Sequence, residues 1–215
     1  MKTEFLRRNY NFEIRAEQKE GEDSKGKYTL YGLPIVYDSR TNIGGCFDEV
    51  IEKGALDKAD LKDVRFLVNH DLSKIPLARS RNNNENSTMR LKVTDQGLEV
   101  EIDLDADNNT DARNLYSAIS RGDISGMSFM FGIDGEEWEN LDSEHPTRHI
   151  KSISTVVEVS AVTFPAYEAT EIYARDKTAL DNAKIALDNA RASVDTDKEK
   201  RELELLKIKA KKYLY

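Results

Sequence analysis

The chain has 215 residues, of which 39% are hydrophobic and 33% are charged, with a net charge of −8. This length suffices for one domain with a hydrophobic core and an appendage. No apolar run is long enough to cross a bilayer, and the acidic balance without a basic stripe argues against nucleic acid as a partner. The single cysteine, Cys46, favours a reducing compartment. Because Cys46 stands alone and His145 and His149 lack paired ligands at a familiar spacing, we expect no zinc site. No cofactor is expected either.

Residues 27–172 carry mostly strand patterns. The stretch KYTLYGLPIVYD is rich in strand-forming residues, and its Gly32 and Pro34 indicate a bulge or an edge position. The stretches MRLKV and LEVEIDLD alternate apolar and polar residues on either side of TDQG, which predicts an antiparallel hairpin. Three further strands are predicted in DVRFLVNH, SGMSFMFG and RHIKSISTVVEVSAVTF.

Two helices are predicted between the strands. The first is FDEVIEKGALDKAD (47–60), which has acidic residues early and apolar residues at helical spacing. The second is NTDARNLYSAISRGD (109–123), in which Asn109 or Thr110 can cap the start and Gly122 suits the end. The acidic stretch 134–148 is predicted to be a long polar loop.

After Tyr173 three seven-residue blocks follow one another, LDNAKIA, LDNARAS and VDTDKEK, with apolar residues in register. This pattern predicts a charged, heptad-like helical tail, which either supports a short coiled coil or packs weakly on the body. We therefore divide the chain into a polar and flexible N-terminal segment (1–26), a central domain (27–173) and the helical tail (174–215).

Three polar side chains stand within apolar strand patterns. Because side chains alternate along a strand, His70 falls on the face of Phe66 and Val68. Valines surround Glu158, so we expect its carboxylate to be buried and to need a proton or a donor. Ser128 lies in the most apolar short run of the chain. A histidine, a serine and a carboxylate can form a hydrolytic triad, in which the imidazole takes the proton of the serine and the carboxylate orients the imidazole.

Each of these residues also has a purely structural interpretation. His70 can end a strand and hydrogen-bond a neighbouring carbonyl group. Ser128, between two glycines, can lie where another backbone comes close. Glu158 can pair with an arginine such as Arg79 or Arg113. From the pattern alone both interpretations stay open.

Five motifs, taken in chain order, favour the catalytic interpretation over the structural one. They are FDEVIEKGAL, VNHD followed by PLAR, DQGLEVEIDL, SRGDISGMSFMF and VEVSAVTFPAYEAT. With these motifs, residues 31–173 resemble the prohead (procapsid maturation) proteases of tailed bacteriophages, which are distantly related to the herpesvirus assemblins. The resemblance implies an α+β fold that is mostly β, a small antiparallel β-barrel surrounded by helices, and the activity of a serine endopeptidase.

The resemblance also assigns roles. It implies that His70 of VNHD is the general base, that Ser128 of GMSFMF is the nucleophile and that Glu158 of VEVS is the third member. Assemblins use a second histidine as third member, which makes His149 the rival, but Glu158 lies in the motif itself. Backbone N–H groups, sometimes organised by an arginine, hold the oxyanion in such enzymes, and Arg148 is the candidate arginine.

The implied function is capsid maturation inside the assembling prohead, in the host cytoplasm. The expected partners are the scaffold and the major capsid protein, which are cut as substrates, and the protease is expected to cut itself as well. Assemblins are activated by dimerisation, but no interface can be identified in this sequence, so homo-oligomerisation stays open. The alternative is a non-catalytic scaffolding or capsid-assembly protein with a protease-like fold, but the complete set of His70, Ser128 and Glu158 favours the enzyme.

Overall fold

Strands dominate the fold, as the alternating patterns predict. The computed structural model describes residues 5–10, 14–18, 28–163 and 177–212. Within these ranges the strands are β1 (Phe5–Tyr10), β2 (Arg15–Gln18), β3 (Tyr28–Val36), β4 (Arg40–Ile43), β5 (Phe47–Ile51), β6 (Arg65–Val68), β7 (Ala78–Arg79), β8 (Met89–Val93), β9 (Gly97–Asp103), β10 (Gly126–Glu139) and β11 (Thr147–Val162). The helices are α1 (Thr110–Ser120), α2 (Lys177–Lys212) and a short 3₁₀ turn, Arg81–Asn83.

The strands form two sheets. In the larger sheet, with the order β1-β10-β11-β5-β4, the long strands β10 and β11 pair antiparallel at the centre. The N-terminal part of β11 also pairs with β5 and its C-terminal part with β6, both in parallel, and β6 pairs with β7. The smaller sheet has the order β2-β3-β9-β8 and is antiparallel throughout.

The sheets share one core but do not join into a barrel. Apolar side chains of both sheets, such as Leu30 and Val100 from one and Phe129 and Val159 from the other, belong to the same buried cluster. Among the described residues no closed barrel forms, so the predicted antiparallel barrel is wrong for this part of the chain. The strands instead form two open sheets, and the larger one is mixed, because β11 pairs in parallel with β5 and β6.

Several local predictions are confirmed. The irregularity expected near Gly32 and Pro34 is a shift of register between β3 and β9 at Gly32–Ile35. The hairpin of β8 and β9 forms as predicted. Helix α1 begins after Asn109, whose side chain accepts hydrogen bonds from the backbone N–H groups of Asp111 and Ala112.

Two local predictions are wrong, and tertiary pairing explains both. The predicted helix 47–60 does not form: residues 53–58 are turns, and residues 47–51 form β5, because they pair with both β4 and β11 and bury Phe47 and Ile51 completely. The predicted loop 134–148 is mostly strand, since β10 continues to Glu139 and β11 starts at Thr147. Cationic side chains of β11 pair with acidic side chains of β10 there, for example Lys151 with Glu137 at 3.2 Å, so the acidic composition does not prevent pairing.

The N-terminal segment contributes to both sheets. β1 pairs with β10 of the larger sheet, and β2 pairs with β3 of the smaller one. The boundaries predicted at residues 26 and 173 both fall outside the described residues, so the division into three parts stays a prediction.

In the described part of the tail, residues 177–212, the chain forms the helix α2, whose N-terminal half packs on the body. Ala183 and Leu187 are buried in a second small cluster with Ile43 and Phe47. Arg191 donates to the carbonyl oxygens of residues 141 and 143, at 3.2 and 2.8 Å. Within the described ranges, neither helix combines the length and the apolar character that a membrane span requires.

The packing of α2 can be tested with the single tryptophan of the chain, Trp138, which packs against the second cluster. Leu187→Asp places a charge in this contact and should release α2, with a loss of at least about 2 kcal/mol of stability. We expect a red shift of Trp138 fluorescence as water reaches the ring. Ile185→Asp is the control, because Ile185 is 52% exposed on the same helix. Equal spectra for the two variants would contradict the packing.

Candidate active site

The pairing of β10 with β11 brings Ser128 and Glu158 to one face of the larger sheet. Residues directly opposite each other in an antiparallel pair project to the same face. Ser128 lies opposite Ser160, and Met130 lies opposite Glu158. Because Ser128 and Met130 are two positions apart, all four side chains share the face opposite to Phe129, which packs in the main core.

An extra residue in β11 sets the direction of Glu158. The register passes from the pair Met130–Glu158 to the pair Phe131–Val156, so Val157 is inserted between them as a bulge. The sequence pattern placed Val156 and Glu158 on one face, and this is wrong, because the bulge turns them to opposite faces. The predicted burial of Glu158 is confirmed, since its side chain has no solvent exposure.

His70 reaches the site through a turn rather than along a strand. β6 ends at Val68, and the next two residues, Asn69 and His70, have φ angles of 52° and 58°. This left-handed conformation is uncommon outside glycine, although asparagine and histidine adopt it more often than most residues. The backbone N–H of Asn69 donates to the carbonyl oxygen of Ala161 at 2.9 Å, which holds the turn against β11. The face predicted for His70 from strand alternation is therefore replaced by the geometry of the turn.

The three side chains form a continuous chain of hydrogen bonds. His70 Nε2 lies 2.5 Å from Ser128 Oγ, and His70 Nδ1 lies 2.5 Å from Glu158 Oε1. A neutral imidazole with its proton on Nδ1 donates a hydrogen bond to the carboxylate, and its Nε2 accepts a hydrogen bond from the Ser128 hydroxyl. Ser128 has no solvent exposure, and the His70 side chain is 9% exposed. Desolvation strengthens the electrostatic coupling between these groups.

Sequence reasoning missed Ser160, which also contacts this chain of hydrogen bonds. Its hydroxyl donates to Glu158 Oε2 at 2.6 Å and accepts from the backbone N–H of His70 at 3.2 Å. Strand alternation does place Ser160 on the face of Glu158, two positions away, but the sequence pattern gave no reason to assign it a role.

The structure does not bring the rival histidine to the site. His149 lies in β11, where its Nδ1 is 2.9 Å from Glu52 and its Nε2 is 3.3 Å from Glu139. His145 contacts Asp48 at 2.8 Å.

Arg148, like His149, lies far from Ser128. It is buried, its Nε donates to Glu136 at 2.8 Å and its Nη1 lies 3.5 Å from Glu49. Ten residues of extended strand separate Arg148 from Glu158, which corresponds to about 30 Å. Arg148 therefore stabilises the far end of the hairpin and does not line the site.

The two arginines considered as structural partners of Glu158 also bind elsewhere. Arg79 pairs with Asp63 at 2.5 Å. Arg113 donates to the backbone carbonyl oxygens of residues 106 and 107 at 2.8 and 2.6 Å. The partners of the Glu158 carboxylate in the described residues are therefore His70 and Ser160.

A serine hydroxyl, an imidazole and a buried carboxylate in consecutive hydrogen bonds are the arrangement that defines serine hydrolases of the triad type. The family model described as "Caudovirus prohead serine protease" matches residues 11–184, and the chain belongs to this family. Membership of this family identifies the general role of the chain as that of a protease in phage capsid maturation.

Among solved structures, the capsid assembly protease gp21 of bacteriophage T4 is similar, with a TM-score of 0.39 and 15% identity. The match covers 74% of this chain and 99% of that chain. No curated protein matches the sequence.

Proposed function

We propose that this chain is the serine endopeptidase that cuts the scaffold, the N-terminal segment of the major capsid protein, or both, inside the assembling prohead in the host cytoplasm. The observation that carries this proposal is the hydrogen-bonded chain from Ser128 through His70 to Glu158. It occurs in a member of the prohead protease family, and its three members are the ones that the sequence motifs single out.

In the proposed mechanism, Ser128 Oγ attacks the carbonyl carbon of the scissile peptide bond while His70 Nε2 accepts the hydroxyl proton. The resulting imidazolium donates this proton to the leaving amine, and the C–N bond breaks to give an acyl-enzyme. Water then adds to the acyl carbon, with His70 again as the base. The bond from this carbon to Ser128 Oγ breaks, His70 returns the proton to Oγ, and the carboxylic acid product leaves. Each proton that His70 takes is returned, so the enzyme ends in its starting state.

The proposed role of Glu158 is to stabilise the imidazolium and to fix the ring. Its carboxylate accepts from His70 Nδ1, so Nε2 carries the free lone pair that the serine proton needs. Because Glu158 has no solvent exposure, its charge is poorly screened and acts strongly on the ring 2.5 Å away.

The burial of Ser128 has a consequence for the timing of cleavage. With no exposed surface on Ser128, a scissile carbonyl carbon cannot reach Oγ without a local opening of the site. A closed resting state agrees with a protease that is inactive until its substrates surround it inside the shell. Self-cleavage fits the same setting, because confinement raises the effective concentration of every cleavable segment.

Replacing the nucleophile tests the proposal directly. Phage carrying Ser128→Ala should assemble proheads in which the scaffold and the capsid protein stay full length, because a serine nucleophile supplies several orders of magnitude in rate. Mass spectrometry of purified proheads measures this. Ser125→Ala is the control, since Ser125 is exposed and only three residues away. Processing by Ser128→Ala within about tenfold of the wild-type rate would contradict the assignment. Proheads that need the chain to assemble but show no processing by wild type would favour the scaffolding alternative.

The third member can be tested by comparing Glu158→Gln with His149→Ala. Glutamine cannot hold the imidazole in the required tautomer, so we expect cleavage to fall by about 10²- to 10⁴-fold. Within the described residues, the carboxylates that pair with His149 are half-buried or exposed, so its replacement should leave cleavage within about threefold of wild type. Initial rates of capsid protein cleavage give the comparison. The reverse order of effects would assign the third role to His149.

A further inference from the structure

Ser160 connects two parts of the site that lie far apart in the sequence. It has no solvent exposure and lies directly opposite Ser128 in the pairing of β10 with β11. Its hydroxyl group forms one hydrogen bond as donor, to Glu158 Oε2, and one as acceptor, from the backbone N–H of His70. A single side chain thus contacts both groups that flank the imidazole ring.

The bond to Glu158 fixes the plane of the carboxylate. Oε1 accepts from His70 at 2.5 Å and Oε2 accepts from Ser160 at 2.6 Å, so each oxygen has a donor although no water reaches the side chain. A carboxylate held at one oxygen can rotate about its last torsion, which is broad. Held at both oxygens, it keeps Oε1 directed at Nδ1 of His70 and so orients the ring toward Ser128.

The bond from His70 fixes the backbone from which the ring projects. His70 has a φ of 58°, a conformation that persists in a non-glycine residue only when its surroundings hold it. Ser160 Oγ accepts the His70 N–H at 3.2 Å. On the neighbouring residue, the Asn69 side chain exchanges hydrogen bonds with Thr163, at 3.0 Å in each direction. The turn is therefore held at two successive positions, and the one at His70 depends on Ser160.

The two hydrogen bonds also support each other. A hydroxyl group that accepts from an N–H becomes a better donor, because the chain of hydrogen bonds polarises it. Removal of the Ser160 hydroxyl would therefore weaken the hold on the carboxylate and on the turn at once.

We infer that Ser160 is a positioning residue of the site, which holds the Glu158 carboxylate and the His70 backbone so that the imidazole lies within hydrogen-bonding distance of Ser128. The inference rests on the catalytic roles proposed above, but it concerns a geometry that can be measured without substrate cleavage.

The test compares three variants of the full chain: Ser160→Ala, Ser160→Thr and Ser154→Ala. Threonine keeps the hydroxyl. Ser154 is the matched control, because it lies in the same strand and its buried hydroxyl has no hydrogen-bond partner in the described residues. Two quantities are measured for each variant: the second-order rate of Ser128 modification by a fluorophosphonate, and the low-field proton resonance of the His70 Nδ1–H that a short bond to a carboxylate produces. Thermal unfolding verifies that each variant is folded.

We expect Ser160→Ala to lower the modification rate by about 10- to 100-fold, the equivalent of one hydrogen bond to a charged group. It should also shift or abolish the low-field resonance. Ser160→Thr should recover most of the rate and keep the resonance, and Ser154→Ala should match wild type in both. A Ser160→Ala variant with the wild-type rate and resonance would overturn the inference. So would a Ser160→Thr variant that is folded but as impaired as Ser160→Ala.

The resonance separates this inference from the proposed function. If the wild-type chain neither reacts with the fluorophosphonate nor cleaves capsid proteins, the proposed function fails, while the resonances of the variants still decide the role of Ser160. If Ser160→Ala does not fold, Ser160→Cys carries the same test, because it nearly preserves side-chain size and donates only a weak hydrogen bond. A wild-type resonance in folded Ser160→Cys would then overturn the inference.

Discussion

Glu158 has no contact with solvent, and a carboxylate in such a place is stable only if donors replace the water it has lost. His70 and Ser160 supply these donors, one to each carboxylate oxygen. The His70 ring reaches Oε1 from a turn that is held against β11. The same ring position brings Nε2 to Ser128. The imidazole that satisfies the buried carboxylate is thus the same one that contacts the Ser128 hydroxyl.

Elements with local signals could be predicted from the sequence. The β8–β9 hairpin follows from strict alternation around a turn, and α1 follows from its Asn109 cap and apolar spacing. Residues 47–51 show where local signals fail. Their helical spacing is overridden by pairing with β11, about one hundred residues away, and by the buried contact of Glu49 with Arg148. The parallel pairing of β11 with β5 and β6 joins the same distant segments, and no short window of sequence contains it.

The candidate site likewise has features that could be predicted from the sequence and features that could not. The resemblance carried by the motifs selected His70, Ser128 and Glu158, whereas their apolar surroundings alone left a structural role open. Their geometry could not be predicted, because the bulge at Val157 and the left-handed turn at His70 depend on the register between distant strands. The role of Ser160 was missed because a serine in a strand has many structural uses, and only the folded structure brings it between the carboxylate and the turn.

The central claim is that cleavage depends on Ser128, and the most direct test is the intact mass of the chain itself. Wild type and Ser128→Ala are purified after co-expression with the capsid protein and the scaffold. The account predicts that wild type loses a defined terminal piece, whereas Ser128→Ala keeps its full length. Loss of the same piece from both would show that another protease makes the cut. Full length in both, with the capsid protein and scaffold also uncut, would contradict the account.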